Sequence, residues 1–170
     1  MKHLGVHYLA YSCCAERVSD PVEHTMVDGA CTECGFNPSV TITSMEVRPG
    51  ETGVVITLSV TDNPGITGLM ATVQYSENVF TLTGAESGEA LGALDFTAPG
   101  NLRSGCTFLW DAMEINDEDI KNGEFLTLIF DVSPNAPEGE YSILVRIRAY
   151  DNDLTPFNLI ISGGKVTVKK

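Results

Sequence analysis

In three stretches of this chain, apolar residues occupy every second position. Val54, Ile56, Leu58 and Val60 alternate with Val55, Thr57, Ser59 and Thr61. Leu69, Ala71, Val73 and Tyr75 alternate with Met70, Thr72 and Gln74. Tyr141, Ile143, Val145, Ile147 and Ala149 alternate with Ser142, Leu144, Arg146 and Arg148. A period of two places successive side chains on opposite faces of an extended strand, so the pattern predicts half-buried strands. Residues 106–110 and 125–132 are shorter apolar runs rich in β-formers, and Val166 and Val168 predict a last strand. Turn signals stand between the runs, at Arg48-Pro49-Gly50-Glu51, Asp62-Asn63-Pro64-Gly65, Ala98-Pro99-Gly100-Asn101, Asn135-Ala136-Pro137-Glu138-Gly139 and Ser162-Gly163-Gly164. Proline presets φ for such turns, and Gly or Asn takes the positive φ they need. Many short strands set apart in this way predict an all-β sandwich. Residues 111–121 are the one helix-tolerant stretch; they are acidic and read as a loop or short turn.

The size suits one such domain. A chain of 170 residues, 43% hydrophobic, buries roughly 70% of its unfolded surface and is not compositionally disordered. It carries 23 acids against 10 bases, a net charge of −13. A nucleic-acid partner needs a Lys/Arg-rich face, and an anionic membrane surface needs a polybasic segment, so both are excluded as partners. No stretch reaches the ~18 consecutive apolar residues of a spanning helix, which excludes membrane insertion by that route.

The reactive residues divide the chain. All three histidines (His3, His7, His24) and four of the five cysteines (Cys13, Cys14, Cys31, Cys34) fall within the first 34 residues. Residues 1–38 therefore form a Cys/His head, with residues 35–39 as its linker, and residues 39–170 form the sandwich. The sandwich has eighteen acids and eight bases, so it carries −10 of the charge.

Chemistry in the sandwich is constrained by what it lacks. Without histidine it cannot build a Ser-His-Asp or Cys-His arrangement. Cys106 lies in an apolar strand pattern and reads as a buried, inert thiol. Glu114, Asp117, Glu118 and Asp119 cluster in one segment, but their spacing picks out no pair of the kind a glycosidase holds ~5–9.5 Å apart. They read as a solvated acidic loop. Asp151-Asn152-Asp153 offers alternating oxygens but lacks the Gly and distal Glu of an EF-hand loop, and reads as a polar turn.

The order of segments carries more than any one of them. Val47-Arg48-Pro49-Gly50-Glu51 is followed by Asn63-Pro64-Gly65-Ile66-Thr67-Gly68, which leads into a strand ending at Gln74-Tyr75, and then by Asn78-Val79-Phe80-Thr81-Leu82. Phe108-Leu109-Trp110-Asp111, the run from Asn122-Gly123-Glu124 to Phe130-Asp131-Val132, and Ala136-Pro137-Glu138-Gly139-Glu140-Tyr141 come next. Asp151-Asn152-Asp153-Leu154 and Gly163-Gly164-Lys165-Val166-Thr167-Val168 close the series. From about Val40 to Val168 the chain resembles a cohesin, the receptor module of cellulosome scaffoldins. The resemblance implies a nine-stranded jelly-roll β-sandwich with no catalysis of its own. It implies a partner as well, a dockerin: a small calcium-loaded helical module on an enzyme or another scaffoldin. It also implies that one flat sheet face receives the dockerin helices, through outward positions matching residues 68–75, about 101–113 and about 142–154.

Alternation then assigns the face. If Leu69, Ala71 and Val73 point inward, Gly68, Met70, Thr72 and Gln74 point outward. By the same parity Phe108 and Trp110 belong to the core, while Thr107 and Leu109 face out. Leu144, Arg146 and Arg148 face out, and Leu154 follows the next turn. In the best-known cohesins the positions matching Gly68 and Met70 hold polar residues that bond a Ser/Thr pair on the dockerin. Gly68 and Met70 depart from that pattern and imply a more apolar specificity. Arg146 and Arg148 are candidate anchors on an otherwise acidic body.

The alternative function is a carbohydrate-binding or adhesion sandwich, which needs exposed aromatics to stack on sugar rings. The body's only Trp, Trp110, has inward parity. In the head, His24 precedes a Cys31-x-x-Cys34-Gly35 turn by seven residues, and C-x-x-C is a zinc-knuckle spacing. Cys13, His24, Cys31 and Cys34 are the candidate zinc ligands, with Cys14 an equal choice for Cys13. Disulfides and a disordered tail stay open beside zinc; the sandwich itself calls for no cofactor. Residues 1–10 have one basic residue and a broken apolar run, which is no signal peptide. The expectation is a module that is monomeric alone, and extracellular or at the cell surface as part of a larger secreted chain.

Overall fold

The computed structural model describes residues 6–7, 19, 22–23, 25–27 and 30–170. In the head, β1 (Val6–His7) pairs with β2 (Val22–Glu23), and β3 (Met26–Val27) pairs with β4 (Ala30–Cys31), both antiparallel. The body follows with β5 (Ser39–Ile42), β6 (Met45–Val47), β7 (Val54–Thr61), β8 (Gly68–Gln74), β9 (Phe80–Ser87) and β10 (Asp95–Thr97). It continues with β11 (Cys106–Asp111), β12 (Gly123–Val132), β13 (Gly139–Ser142), β14 (Leu144–Tyr150), β15 (Pro156–Phe157), β16 (Ile160–Gly163) and β17 (Lys165–Val168). The acidic stretch holds a single turn of 3-10 helix, Asp117–Asp119, capped by reciprocal bonds between Asn116 and Asp119.

Two five-stranded sheets face each other, in the orders β10-β11-β8-β14-β15 and β16-β5-β7-β12-β9. A three-stranded sheet, β13-β17-β6, closes one end. The alternation read from the sequence is the burial pattern. Val54, Ile56, Leu58 and Val60 are buried from one sheet, and Leu69, Ala71 and Val73 from the other. Aromatic rings fill the space between them. Trp110 lies 4.9 Å from Phe96 and 5.6 Å from Phe125, and Phe130 lies edge-on to Tyr75 at 5.2 Å. The edge-to-face geometry of the Trp110–Phe125 and Phe130–Tyr75 pairs adds to the burial itself.

The run from Tyr141 to Ala149, read as one strand, is two. It breaks at Ile143: β13 pairs with β17, whereas β14 pairs with β8 in the face sheet. Two other runs cross between sheets in the same way. Residues 39–47 break at Thr43–Ser44, and 160–168 at Gly164. Counting each broken run as one strand leaves nine strands and the two-residue β15. The crossing points are bonded together: Gly164 donates its N–H to the Ile42 carbonyl (3.1 Å), and Ile143 donates to the Gly164 carbonyl (2.7 Å). Ser162-Gly163-Gly164, a turn signal in the sequence, is therefore a crossover between sheets.

Residues 35–39 are tied to the body. Phe36 is buried, the Asn37 N–H donates to Asp62 Oδ2 (2.9 Å), and the Ile160 N–H donates to the Pro38 carbonyl (3.1 Å).

Candidate partner-binding face

The outer surface of the β10-β11-β8-β14-β15 sheet collects all nine residues assigned by parity, because β8 lies between β11 and β14. The register sets them in rows. Leu109 sits opposite Met70, and Met70 opposite Arg148. Thr107, Thr72 and Arg146 form the next row, and Gln74 faces Leu144 beyond it. Toward the other end lies the row Asp111, Gly68, Tyr150. With neighbouring strands about 4.8 Å apart, a three-residue row spans about 10 Å, the width of one docked helix.

Met70 and Leu109 at the middle are 39% and 37% exposed, and Leu144 is 58% exposed. Beside them Arg146 and Arg148 project into solvent with no ion-pair partner among the described residues. Elsewhere on the body, Lys165 and Lys169 are paired with Glu140 and Glu46. The Thr72 and Thr107 hydroxyls bond each other at 2.9 Å, so this pair is partly satisfied before any partner arrives.

The Tyr150 ring stands beside Gly68, where a Cβ would meet it at 3.6 Å, an ordinary contact distance. Tyr150 was missed because the alternation was followed only to Ala149; extending the outward parity of Leu144, Arg146 and Arg148 by one step reaches it. Leu154 comes after the strand, past the Asp151–Asp153 turn, where the sequence reading puts it. It lies between β14 and β15, at φ 57° and 77% exposed.

The competing chemistries find little support. Trp110 is 1% exposed, packed among core rings, and donates its Nε1–H to Ser87 Oγ at 3.0 Å, so no sugar ring reaches it. Glu114, Asp117 and Glu118 are exposed on the loop, and Asp119 is turned onto the Asn116 amide as a cap. In the 151–155 turn, Asp151 Oδ1 accepts the amides of Asp153 (3.0 Å) and Thr155 (2.8 Å), and Asn152 Oδ1 accepts that of Ile115 (3.4 Å). These oxygens are engaged by the fold, as a polar turn requires.

Of the candidate zinc ligands, Cys13 and His24 lie outside the described residues, as does Cys14. Cys31 is buried and Cys34 half-buried on a tight turn, in which Gly35, at φ 67°, donates to the Cys31 carbonyl (2.9 Å) and Cys31 donates to the Phe36 carbonyl (2.8 Å). Cys106 is 8% exposed on the inner side of β11, and burial pushes its thiol up, away from the reactive thiolate. Native protein at pH 7.5 is therefore expected to leave Cys106 unmodified by iodoacetamide, with full alkylation in guanidinium. Peptide mapping checks this, and stoichiometric native labelling would contradict it. No helix among the described residues is long and apolar enough to cross a membrane.

A family model described as the cohesin domain matches residues 38–168. No curated protein matches the chain. Among solved structures, a Clostridium acetobutylicum cohesin in complex with a dockerin aligns with a TM-score of 0.68 at 16% identity, over 78% of this chain and 100% of the other. The sixth cohesin of Acetivibrio cellulolyticus scaffoldin B, also solved with a dockerin, aligns at 0.65 and 20% identity, over 78% and 99%. A non-cellulosomal cohesin from the hyperthermophilic archaeon Archaeoglobus fulgidus aligns at 0.63 and 12% identity, over 78% and 91%. At these identities the likeness establishes the fold.

Proposed function

Because the chain belongs to the cohesin family, we propose that its sandwich is a non-catalytic module that docks a dockerin-bearing enzyme or scaffoldin on the outer face of the β10-β11-β8-β14-β15 sheet. The observation that carries this reading is the composition of that face. The sheet exposes Met70 beside Leu109 in one row and Leu144 two rows along, with Arg148 and Arg146, which have no ion-pair partner among the described residues, next to and between them. Apolar centres with Arg at their margin are where binding energy concentrates in protein interfaces. The rigid sheet loses little entropy on docking. The arginines favour a dockerin with carboxylates at the matching positions, and Gly68 beside Tyr150 replaces a polar contact with an aromatic one. A contact of standard size, roughly 1,600 Å² in total, would cover all four rows.

The working location follows from this role: extracellular or at the cell surface, within a longer secreted chain. Titration calorimetry against calcium-loaded dockerins from the same organism tests the reading, beside a polysaccharide-affinity gel. At least one dockerin is expected to bind at micromolar Kd or tighter with one-to-one stoichiometry, and the gel is expected to leave the protein unretarded. No binding across the panel, or retardation by glycans alone, would overturn the assignment.

A further inference from the structure

The strands described in the head, β1 to β4, have two residues each, and a hairpin that short is marginal in water without a staple. A stretch below about 40 residues usually needs a disulfide, a metal or a partner to hold one fold. Cys31 and Phe36 are both buried, yet neither belongs to the hydrophobic core of the sandwich. They mark a second, smaller centre at the head, and one of the two is a cysteine.

The Cys31-Thr32-Glu33-Cys34-Gly35 turn brings both of its sulfurs to the inner side. Thr32 and Glu33 are exposed, while Cys31 is buried and Cys34 half-buried. A turn closed by the Gly35 N–H on the Cys31 carbonyl draws its first and fourth residues together, to Cα atoms within roughly 7 Å. Gly35, at φ 67°, takes the left-handed backbone that turns the chain back after Cys34. The turn is also fastened to the strand before it. Thr32 donates its N–H (3.0 Å) and its hydroxyl (3.3 Å) to the Thr25 carbonyl, and Met26 stands opposite Cys31. The residue that precedes Thr25 in the chain is His24. Two thiols at this spacing on a preformed turn are half of the tetrahedral sulfur and imidazole set that zinc prefers. Among the described residues no third His, Cys, Asp or Glu completes it. The sequence candidates for the other half are His24 and Cys13 or Cys14.

We propose that Cys31 and Cys34 bind one Zn2+ as thiolates, with the remaining ligands supplied by the head's own His and Cys, and that this ion holds the head in its fold. Each of the two thiols releases its proton to solvent as its sulfur takes the metal. The inference is independent of the docking reading, since it uses no residue of the face.

The test uses the full chain, stripped by a chelator, kept reduced with a phosphine, and titrated with Zn2+ and in parallel with Co2+. One Zn2+ per chain is expected, at a Kd of about 50 nM or tighter. Co2+ is expected to give sulfur-to-cobalt charge-transfer absorption and the visible bands of a tetrahedral site. Cys34→Ser is expected to weaken zinc binding by about 100-fold or more and to diminish the charge-transfer band. The melting of the sandwich should be unchanged in that variant, which shows that it has folded. Iodoacetamide mapping of the chain as purified separates zinc from a Cys31–Cys34 disulfide. Zinc protects Cys34 until a chelator is added, whereas a disulfide protects it until a reductant is added. Protection lost only to the reductant would overturn the proposal. So would the lack of stoichiometric zinc uptake, or full zinc affinity in Cys34→Ser.

Discussion

Alanine at Gly163 is expected to remove most of the stability of the sandwich. Gly163 takes φ 85°, and an added Cβ would lie well inside 3.0 Å of the Ile42 carbonyl oxygen. That oxygen cannot swing away, because it accepts the Gly164 N–H at the point where the β5 and β16 runs leave their sheet. Gly164 is constrained in the same way against the Ile143 carbonyl, at φ 77°. The left-handed backbone alone costs a non-glycine residue about 1 kcal/mol. Displacing a backbone carbonyl at a three-run crossing brings the expected total to about 4 kcal/mol or more, out of the roughly 5–15 kcal/mol a domain has. Gly53→Ala is the control. Gly53 also has a positive φ, of 69°, but nothing lies within 4 Å of its added Cβ, so only the backbone term applies. Urea melts should separate the two by about 3 kcal/mol. Equal midpoints would show that the crossover tolerates a side chain.

This crossing marks the boundary of what the sequence shows. Alternation at residues 54–61 and 69–75 specifies which side chains are inside, because burial and period two come from the same strand geometry. It does not specify which strands are neighbours. Leu109 and Met70 are opposite one another although 39 positions apart, and Arg148 reaches the same row from a third strand. Such pairing is decided by tertiary packing. Parity also fails at bulges. The register slips between Glu124 and Leu126, which lets Phe125 and Leu126 both enter the core and sends Ile129 outward. The face residues were legible because they lie on uninterrupted strands. The left-handed backbone of Leu154 was not, since nothing local to an Asp-Asn-Asp-Leu sequence requires it.

Replacing Met70 and Arg146 together by alanine is expected to weaken dockerin binding roughly thirtyfold or more, about 2 kcal/mol, with little change in stability. Met70 is central in its row between Leu109 and Arg148, and Arg146 lies one row on, opposite Thr72. Both side chains project into solvent, and Arg146 has no ion-pair partner among the described residues, so truncation leaves the core and its hydrogen bonds in place. Tm should move by no more than about 2 °C. The two losses separate by salt. The Arg146 share, being electrostatic at an interface margin, should shrink between 0.1 and about 1 M salt, whereas the Met70 share should persist. Arg146→Lys should recover only part of the affinity, because an ammonium lacks the planar fork that grips a carboxylate bidentately. The residues are near neighbours on adjacent strands, so the double loss need not equal the sum of the single ones. Full recovery by Lys would show that the partner reads net charge alone. Undiminished affinity in the double variant would place the docking site elsewhere on the sandwich.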